Sequence, residues 1–197
     1  MLDLSRFDPV LDCQRVFRLI LGCMARPGKI ELLVPEKPDQ ATDRAMVMIA
    51  MSLLDEETTF AVLGEGEEQL ARCCRLIAGG RMVPPEQADF VFVSGAQARP
   101  EITGLRRGSL FFPDQGATVV CRVEMLLPET RAGEVCLRLQ GPGVQGEVFL
   151  GVAGLARENL AYLCEANAEF PLGVDIILVS DCGQVACIPR SASIDWE

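Results

Sequence analysis

One stretch of this chain, residues 170–190, constrains the fold more than any other. Residues 174–179 are apolar apart from Asp175 and are rich in β-branched side chains, a composition typical of a strand buried on both faces of a sheet. Turn-forming residues follow, and a second apolar run over 185–188 completes the pattern of a β-hairpin. Because an unpaired carboxylate inside such a run is costly, we expect Asp175 to have a partner or to lie at an open face.

The rest of the sequence predicts helices and strands that alternate up to about residue 93, followed by a region dominated by β patterns. No repeat or linker divides the chain, so we predict one α/β domain over residues 1–197. The predicted helices cover residues 9–24, with Asp8 as the N-cap, 42–54, 67–78 and 155–166. The predicted strands cover 30–34, 58–63, 89–93, 117–127, 135–139, 174–179 and 185–188.

The acidic composition narrows the partners that we expect. The 197 residues carry a net charge of −10, with a pI near 4.6, which argues against autonomous nucleic-acid binding because that needs a basic face. No run of about 18 apolar residues is present and the N-terminus lacks the order of a signal peptide, so we expect no membrane partner. Nine cysteines without a CxxC motif indicate reduced core thiols in a cytoplasmic protein.

Two residue types limit the chemistry of the chain. There is no histidine, which excludes Ser-His-Asp and Cys-His catalysis, imidazole bases and histidine-ligated metals. The only lysines are Lys29 and Lys37, and neither has the sequence context of an activated Schiff-base lysine. The cysteine spacing does not match a metal site. We therefore predict no catalytic residue, no bound cofactor and no metal ligand in this chain.

A glycine-rich segment at residues 141–146 formally matches the G-x-G-x-x-G pattern of dinucleotide-binding loops. That mechanism needs a helix N-terminus directly after the loop, whereas a β-type run follows here. Pro142 also removes one backbone amide. We predict a tight turn.

Four residues are candidates for binding a ligand. Arg107, next to Arg106 and a turn, could clamp a phosphate or phosphonate, although a solvated or salt-bridged pair is the alternative. Asp114 lies in a turn, and Asp175 and Arg190 lie at the start and just beyond the end of the predicted hairpin. We expect Arg190 to emerge where the strand ends of α/β sheets usually present function.

Several blocks of this sequence, taken in order, match the motifs of one known family. They are LDCQRVFR at 11–18 with Met24 and Pro27-Gly28, PEQA at 85–88, Gly108 with Pro113 and GAT at 116–118, RL at 138–139 with Gly141 and Gly143, and FPLGVDIIL at 170–178 followed by IPR at 188–190. Together they resemble the PhnH family, a subunit of the bacterial carbon–phosphorus lyase core complex. The last block is the most specific, and the resemblance covers nearly the whole chain.

This resemblance implies a mixed β-sheet flanked by helices, related to the fold of pyridoxal-phosphate-dependent transferases but without the cofactor site. It implies a homodimer that joins the PhnG, PhnI and PhnJ subunits. With PhnL, the PhnG–PhnH–PhnI set replaces the adenine of ATP with a phosphonate, so MgATP is a substrate of the complex. PhnJ, a radical iron–sulfur subunit, cleaves the carbon–phosphorus bond of the product later. Within that set PhnI resembles the catalytic subunit, so the resemblance implies a structural or pocket-contributing role for this chain.

Three functions therefore stay open. The first is a homodimeric subunit of the phosphonate-activating complex without a self-contained active site. The second is an independently active or ATP- or phosphonate-binding α/β protein that uses strand-end arginines. The third is a redox or metal protein that uses its nine cysteines.

Overall fold

The computed structural model describes residues 7–33, 38–64, 68–128 and 135–196, and of residues 38–43 it describes the backbone alone. These ranges contain four α-helices and eleven β-strands, joined by turns, loops and short 3₁₀ helices. The helices are α1 (Leu11–Met24), α2 (Pro38–Leu53), α3 (Glu68–Leu76) and α4 (Arg157–Ala166). The strands are β1 (Glu31–Leu32), β2 (Thr59–Leu63), β3 (Arg81–Met82), β4 (Phe90–Ser94), β5 (Thr118–Val123), β6 (Met125–Leu127), β7 (Val135–Gln140), β8 (Val148–Ala153), β9 (Asp175–Ser180), β10 (Gln184–Ile188) and β11 (Ser193–Trp196).

A seven-stranded sheet with the order β1-β10-β9-β5-β4-β2-β3 forms the central layer. The strands from β9 to β3 run parallel to one another, whereas β10 is antiparallel to both of its neighbours. The sheet is therefore mixed and flanked by helices, as predicted. The predicted hairpin is confirmed as β9 and β10, with Ile176 opposite Ile188 and Val179 opposite Val185.

Both faces of this sheet are buried, which explains the unbroken apolar run in β9. On one face, Ile177 and Val179 lie in a core formed with α1, α2 and α3. On the other face, Ile176 and Leu178 lie in a core formed with α4 and a second sheet. The molecule thus has three layers, with the mixed sheet in the middle.

The second sheet differs from the prediction. It is antiparallel, with the order β11-β7-β8-β6, and β11 has no counterpart among the predicted strands. The single strand predicted over 117–127 divides at Glu124, so that β5 belongs to the seven-stranded sheet and β6 to the four-stranded one. The Glu124 amide donates to the Ala153 carbonyl at 2.9 Å. Because the apolar residues continue through this bend, their spacing gives no sign of it.

The helices follow the predicted positions with shifted starts. Asp8 accepts hydrogen bonds from the amides of Val10 and Leu11, both at 2.9 Å, as expected for a helix-start residue. Helix α2 begins four residues earlier than predicted, whereas Lys37 and the predicted first residue of α3, Glu67, lie outside the described residues. None of the helices in the described ranges is long and apolar enough to cross a membrane.

The glycine-rich segment 141–146 joins two antiparallel strands. It links β7 to β8, and the Val144 amide donates to the Gly141 carbonyl at 3.1 Å. A strand follows it rather than a helix. The prediction of a tight turn is confirmed.

Candidate functional site

Asp175 and Arg190 form an ion pair at one edge of the central sheet. Asp175 begins β9 and Arg190 follows β10, so the hairpin brings them together. Arg190 Nη2 lies 2.6 Å from Asp175 Oδ2, and the Arg190 backbone amide donates to Oδ1 at 2.9 Å. The side chain of Arg190 is 12% exposed and that of Asp175 is 27% exposed. The expectation that Asp175 has a partner is confirmed.

Arg190 also fixes the neighbouring turn. Its Nη1 donates to the Pro113 carbonyl at 2.5 Å, and its Nη2 lies 3.4 Å from the Gly116 carbonyl. A Cβ atom at Gly116 would collide with the Arg190 guanidinium and with the Gly173 carbonyl. The guanidinium therefore holds three chain segments together, and most of its donors are occupied by the protein.

Arg107 and Asp114 lie on the segment that Arg190 holds. The backbone of Arg107 pairs with that of Gly116 in an antiparallel bridge, and its carbonyl accepts from the Gly173 amide at 2.9 Å. The side chains of Arg107 and Asp114 are exposed, and neither has a side-chain partner in the described part of the chain. The structure thus brings all four predicted site residues to one corner, which we name the hairpin corner: Arg107, Asp114, Asp175 and Arg190.

Arg106, the neighbour of Arg107, is tied to the sheet instead. Its Nη1 lies 2.7 Å from Asp89 Oδ1, while the other oxygen of Asp89 accepts from the amide and the hydroxyl of Thr59, at 2.8 and 2.5 Å. Burial raises the pKa of Asp89, but the hydrogen bonds from Thr59 and the charge of Arg106 together outweigh it, so that the pKa lies below its usual value. Of the adjacent arginines, Arg106 is paired with Asp89, whereas the Arg107 side chain has no partner among the described residues.

The hairpin corner lies at the amino ends of the parallel strands. Asp175 is paired in register with Thr118, the first residue of β5. Arg190 reaches this edge because β10 runs antiparallel to β9. Ligands of open α/β sheets usually bind at the carboxyl ends of the strands. The position of Arg190 therefore differs from the expected one.

The carboxyl edge of the same strands carries polar residues that the sequence analysis did not single out. Arg122 Nε lies 3.0 Å from Asp181 Oδ1, and Ser180 Oγ lies 3.1 Å from Cys182 Sγ. The one signal that could have pointed to Arg122 is that it is the only charged residue of β5 and follows the apolar run 119–121. Both charged side chains are about two-fifths exposed, at 40% and 44%.

A second feature missed by the sequence analysis is an exposed apolar turn next to the hairpin corner. Leu110, Phe111 and Phe112, here called the apolar tip, are 73%, 90% and 56% exposed. Ser109 closes the turn, since its amide donates to the Phe112 carbonyl at 3.1 Å and its carbonyl accepts from the Phe112 amide at 3.1 Å. Adjacent exposed aromatic side chains on a fixed turn are typical of a protein–protein contact.

A cleft of about 430 Å³ lies over the second sheet, outside the predicted site. Arg138 Nη2 lies 2.7 Å from Asp195 Oδ2 there, and Arg138 Nη1 lies 3.9 Å from Glu147 Oε2. The charges in this cleft are therefore paired with one another. Its lining residues are Cys136, Arg138, Phe149, Asp195 and Trp196.

Four of the nine cysteines are buried in the core and the other five are partly buried, so the prediction of core thiols holds for fewer than half of them. Burial raises the pKa of Cys121 and of Cys74 to about 12, so these thiols stay protonated and are poor nucleophiles at neutral pH. Among the residues that the structure describes, no three cysteine or carboxylate side chains come together as metal ligands. Lys29 forms an ion pair with Glu31.

Comparison with known proteins agrees with the sequence blocks that run through this fold. A family model described as bacterial phosphonate metabolism protein (PhnH) matches residues 6–195. The putative C-P lyase subunit protein HtxG of Stutzerimonas stutzeri is 35% identical over 188 residues, which cover 92% of this chain and 85% of the relative. The alpha-D-ribose 1-methylphosphonate 5-triphosphate synthase subunit PhnH of Rhizobium meliloti (strain 1021) is 28% identical over 193 residues, which cover 96% and 94%. The chain therefore belongs to the PhnH family of bacterial phosphonate metabolism proteins.

Proposed function

We propose that this chain is a subunit of a carbon–phosphorus lyase system, in which phosphonates are activated and then cleaved. The observation that carries the proposal is the likeness, over 96% of the chain, to a relative named as the PhnH subunit of a ribose 1-methylphosphonate 5-triphosphate synthase. The other relative is named as a putative C-P lyase subunit, which supports the same assignment.

In this proposal the chain supports a transferase reaction together with PhnG, PhnI and PhnL. The bond between the ribose C1′ of ATP and adenine breaks, a phosphonate oxygen bonds to C1′, and adenine leaves with the proton that balances it. MgATP and the phosphonate are substrates of the assembled complex. The chain has no histidine, and the Asp175 carboxylate is bonded to Arg190, which supports an assembly role rather than acid–base catalysis by this subunit.

The assembly that we propose is a homodimer that joins PhnG, PhnI and PhnJ in the cytoplasm, where ATP is available. The apolar tip supports a role in subunit contact, because three adjacent exposed apolar side chains gain free energy when a partner covers them. A relation of the fold to pyridoxal-phosphate-dependent transferases stays a prediction of the family resemblance.

The test is an assay of adenine release with purified subunits. PhnG, PhnI and PhnL from the same organism are mixed with MgATP and methylphosphonate, with and without this chain. We expect adenine and a ribose 1-phosphonate product only in the mixture that contains the chain. Equal release in both mixtures would overturn the proposed function.

A second candidate function is ATP or phosphonate binding by the isolated chain. The observation that favours it is the exposed Arg107 side chain, which has no partner among the described residues. Isothermal titration calorimetry with MgATP or methylphosphonate at millimolar concentration tests it. Binding that is lost in Arg107→Ala supports this function, and the absence of heat in the wild-type chain removes it.

A further inference from the structure

The cleft over the second sheet is built on three neighbouring strands. Arg138 on β7 lies directly opposite Asp195 on β11 and Phe149 on β8, so these three side chains form one row across the outer face of the sheet. The inner face is buried, with Leu137 and Leu150 in the core. The cleft measures about 430 Å³, which lies within the range of roughly 300–1,000 Å³ that small-molecule sites occupy.

Trp196 also lines the cleft, in a position that α4 fixes. The Arg157 guanidinium lies over its ring, with Cζ 5.7 Å from the ring centroid. The indole also forms a hydrogen bond with the thiol of Cys164. Because two contacts already hold the ring, a ligand that packs against it costs little side-chain entropy.

The charges of the cleft disfavour a charged ligand. Arg138 contacts two carboxylates: its Nη2 lies 2.7 Å from Asp195 Oδ2, and its Nη1 lies 3.9 Å from Glu147 Oε2. One guanidinium and two carboxylates leave a net charge of −1, so no excess positive charge is present to bind a phosphate or phosphonate. A cation is disfavoured as well, because the guanidinium occupies the middle of the row. The cleft therefore favours an uncharged ligand.

The remaining groups select a planar ring that carries hydrogen-bond donors. Phe149 and Trp196 provide aromatic surface, against which flat heterocycles stack. Asp195 uses Oδ2 for Arg138, whereas its Oδ1 has no hydrogen-bond partner among the described residues and is available to an N–H donor. An uncharged aromatic heterocycle with an amino group meets both requirements, and adenine is a nucleobase of this class.

We propose that this cleft binds an amino-bearing nucleobase, with the ring against Phe149 and Trp196 and the amino group donating to Asp195. The inference rests on the function proposed above, in which adenine is the base of the ATP substrate. The ribose and the phosphates then lie outside the cleft, away from its carboxylates. The chain thereby helps to hold the substrate, while the bonds are broken and formed on other subunits.

The sole tryptophan of the chain, Trp196, reports on the cleft directly. The full-length chain is titrated with adenosine, with inosine, which has a carbonyl oxygen in place of the amino group, and with inorganic triphosphate. Quenching of tryptophan fluorescence gives the affinity, and isothermal titration calorimetry measures it independently. The variants are Phe149→Ser and Asp195→Ala, with Phe111→Ser and Asp114→Ala as matched controls outside the cleft. Circular dichroism confirms that each variant is folded.

We expect saturable quenching by adenosine, binding of inosine that is at least about tenfold weaker, and no quenching by triphosphate. Each cleft variant should bind adenosine at least about tenfold more weakly than the wild type, and both controls should bind it normally. The absence of saturable quenching and of heat at millimolar adenosine would overturn the inference. Equal binding of inosine, or cleft variants that bind adenosine like the controls, would overturn it as well.

Failure of this inference is distinguishable from failure of the proposed function. If adenine release requires the chain but adenosine does not bind in the cleft, the inference falls and the proposed function stands. If adenosine binds in the cleft but adenine release does not require the chain, the proposed function falls and the cleft remains a nucleobase site. Adenosine binding that is lost in Arg107→Ala and kept in both cleft variants would overturn the inference in favour of the hairpin corner.

Discussion

Arg190 and Arg107 lie at the same corner of the molecule but in different environments. Arg190 is 12% exposed and bonds to Asp175 and to two carbonyls of the adjoining turn. Arg107 is exposed and its guanidinium has no partner in the described part of the chain. A mostly buried cation with several partners holds the fold, whereas an exposed one adds little stability and stays available to another molecule.

The stabilising role of Arg190 is tested most directly by removing its partner, Asp175. In Asp175→Ala, Arg190 keeps its charge in a mostly buried position without its carboxylate, and its backbone amide loses an acceptor. We expect a loss of about 3 kcal/mol in the free energy of unfolding, measured by urea denaturation. The matched control is Asp114→Ala at the same corner, where the carboxylate is exposed and a change within about 0.5 kcal/mol is expected. Equal losses in the two variants would contradict the claim that Asp175 stabilises the fold and Asp114 does not.

A second change tests the close packing around Arg190. In Gly116→Ala the new methyl group meets the Arg190 guanidinium and the Gly173 carbonyl, so one of them must move. We expect the free energy of unfolding to fall by about 2 kcal/mol. Gly104→Ala is the control, because nothing lies within 4 Å of the position of its Cβ. Thermal unfolding of both variants checks the result, and equal melting temperatures would speak against it.

The apolar tip tests the claim that exposed side chains near this corner add little stability. Phe111 is 90% exposed, so Phe111→Ser removes little buried area and we expect the free energy of unfolding to stay within about 0.5 kcal/mol of wild type. If the tip is a subunit contact, association with PhnG, PhnI and PhnJ weakens about tenfold, or about 1.4 kcal/mol. Surface plasmon resonance measures the affinity. Phe149→Ser, a half-exposed aromatic residue on the second sheet, is the control that should bind normally.

The smallest effect concerns Asp89, which holds Arg106 beside the exposed Arg107. Its pKa is lower in the folded chain than in the unfolded one, so its stabilisation is present above the unfolded pKa of about 4 and is lost as the pH falls through the folded pKa. Thr59→Val removes one hydrogen bond to the carboxylate. We expect the free energy of unfolding to fall by about 1 kcal/mol at pH 7 and by less below pH 4. Urea denaturation at pH 7 and at a pH below 4 measures both losses. The control is Thr103→Val, which should show no such pH dependence because the Thr103 hydroxyl donates to the Pro100 backbone carbonyl, which does not titrate.

Sequence reasoning succeeds where a local pattern and the tertiary environment agree. The apolar run of β9 is buried on both faces, and the need of Asp175 for a partner follows from the cost of a buried charge. The turn at 141–146 is also predictable, because a strand rather than a helix pattern follows it. For the turn, the residues that decide the structure lie next to one another in sequence. For β9 and Asp175, burial alone requires apolar neighbours and a partner for the charge.

The remaining features depend on contacts that spacing does not encode. The bend at Glu124 sends one apolar run into two sheets. Its amide donates to the Ala153 carbonyl and its carbonyl accepts from the Asp181 amide, and both partners lie far from it in sequence. Apolar composition normally indicates burial, yet Phe111 is almost fully exposed. The edge on which Arg190 lies depends on the direction of β10 within the sheet, which is a property of topology rather than of residues 184–190.

The most direct test of the account is co-expression of this chain with PhnG, PhnI and PhnJ from the same organism, followed by size exclusion with light scattering. The account predicts that the chain elutes with those subunits in a large complex, and that the chain alone elutes as a dimer. A chain that keeps its own mass in the presence of all three subunits would contradict the proposed role in assembly.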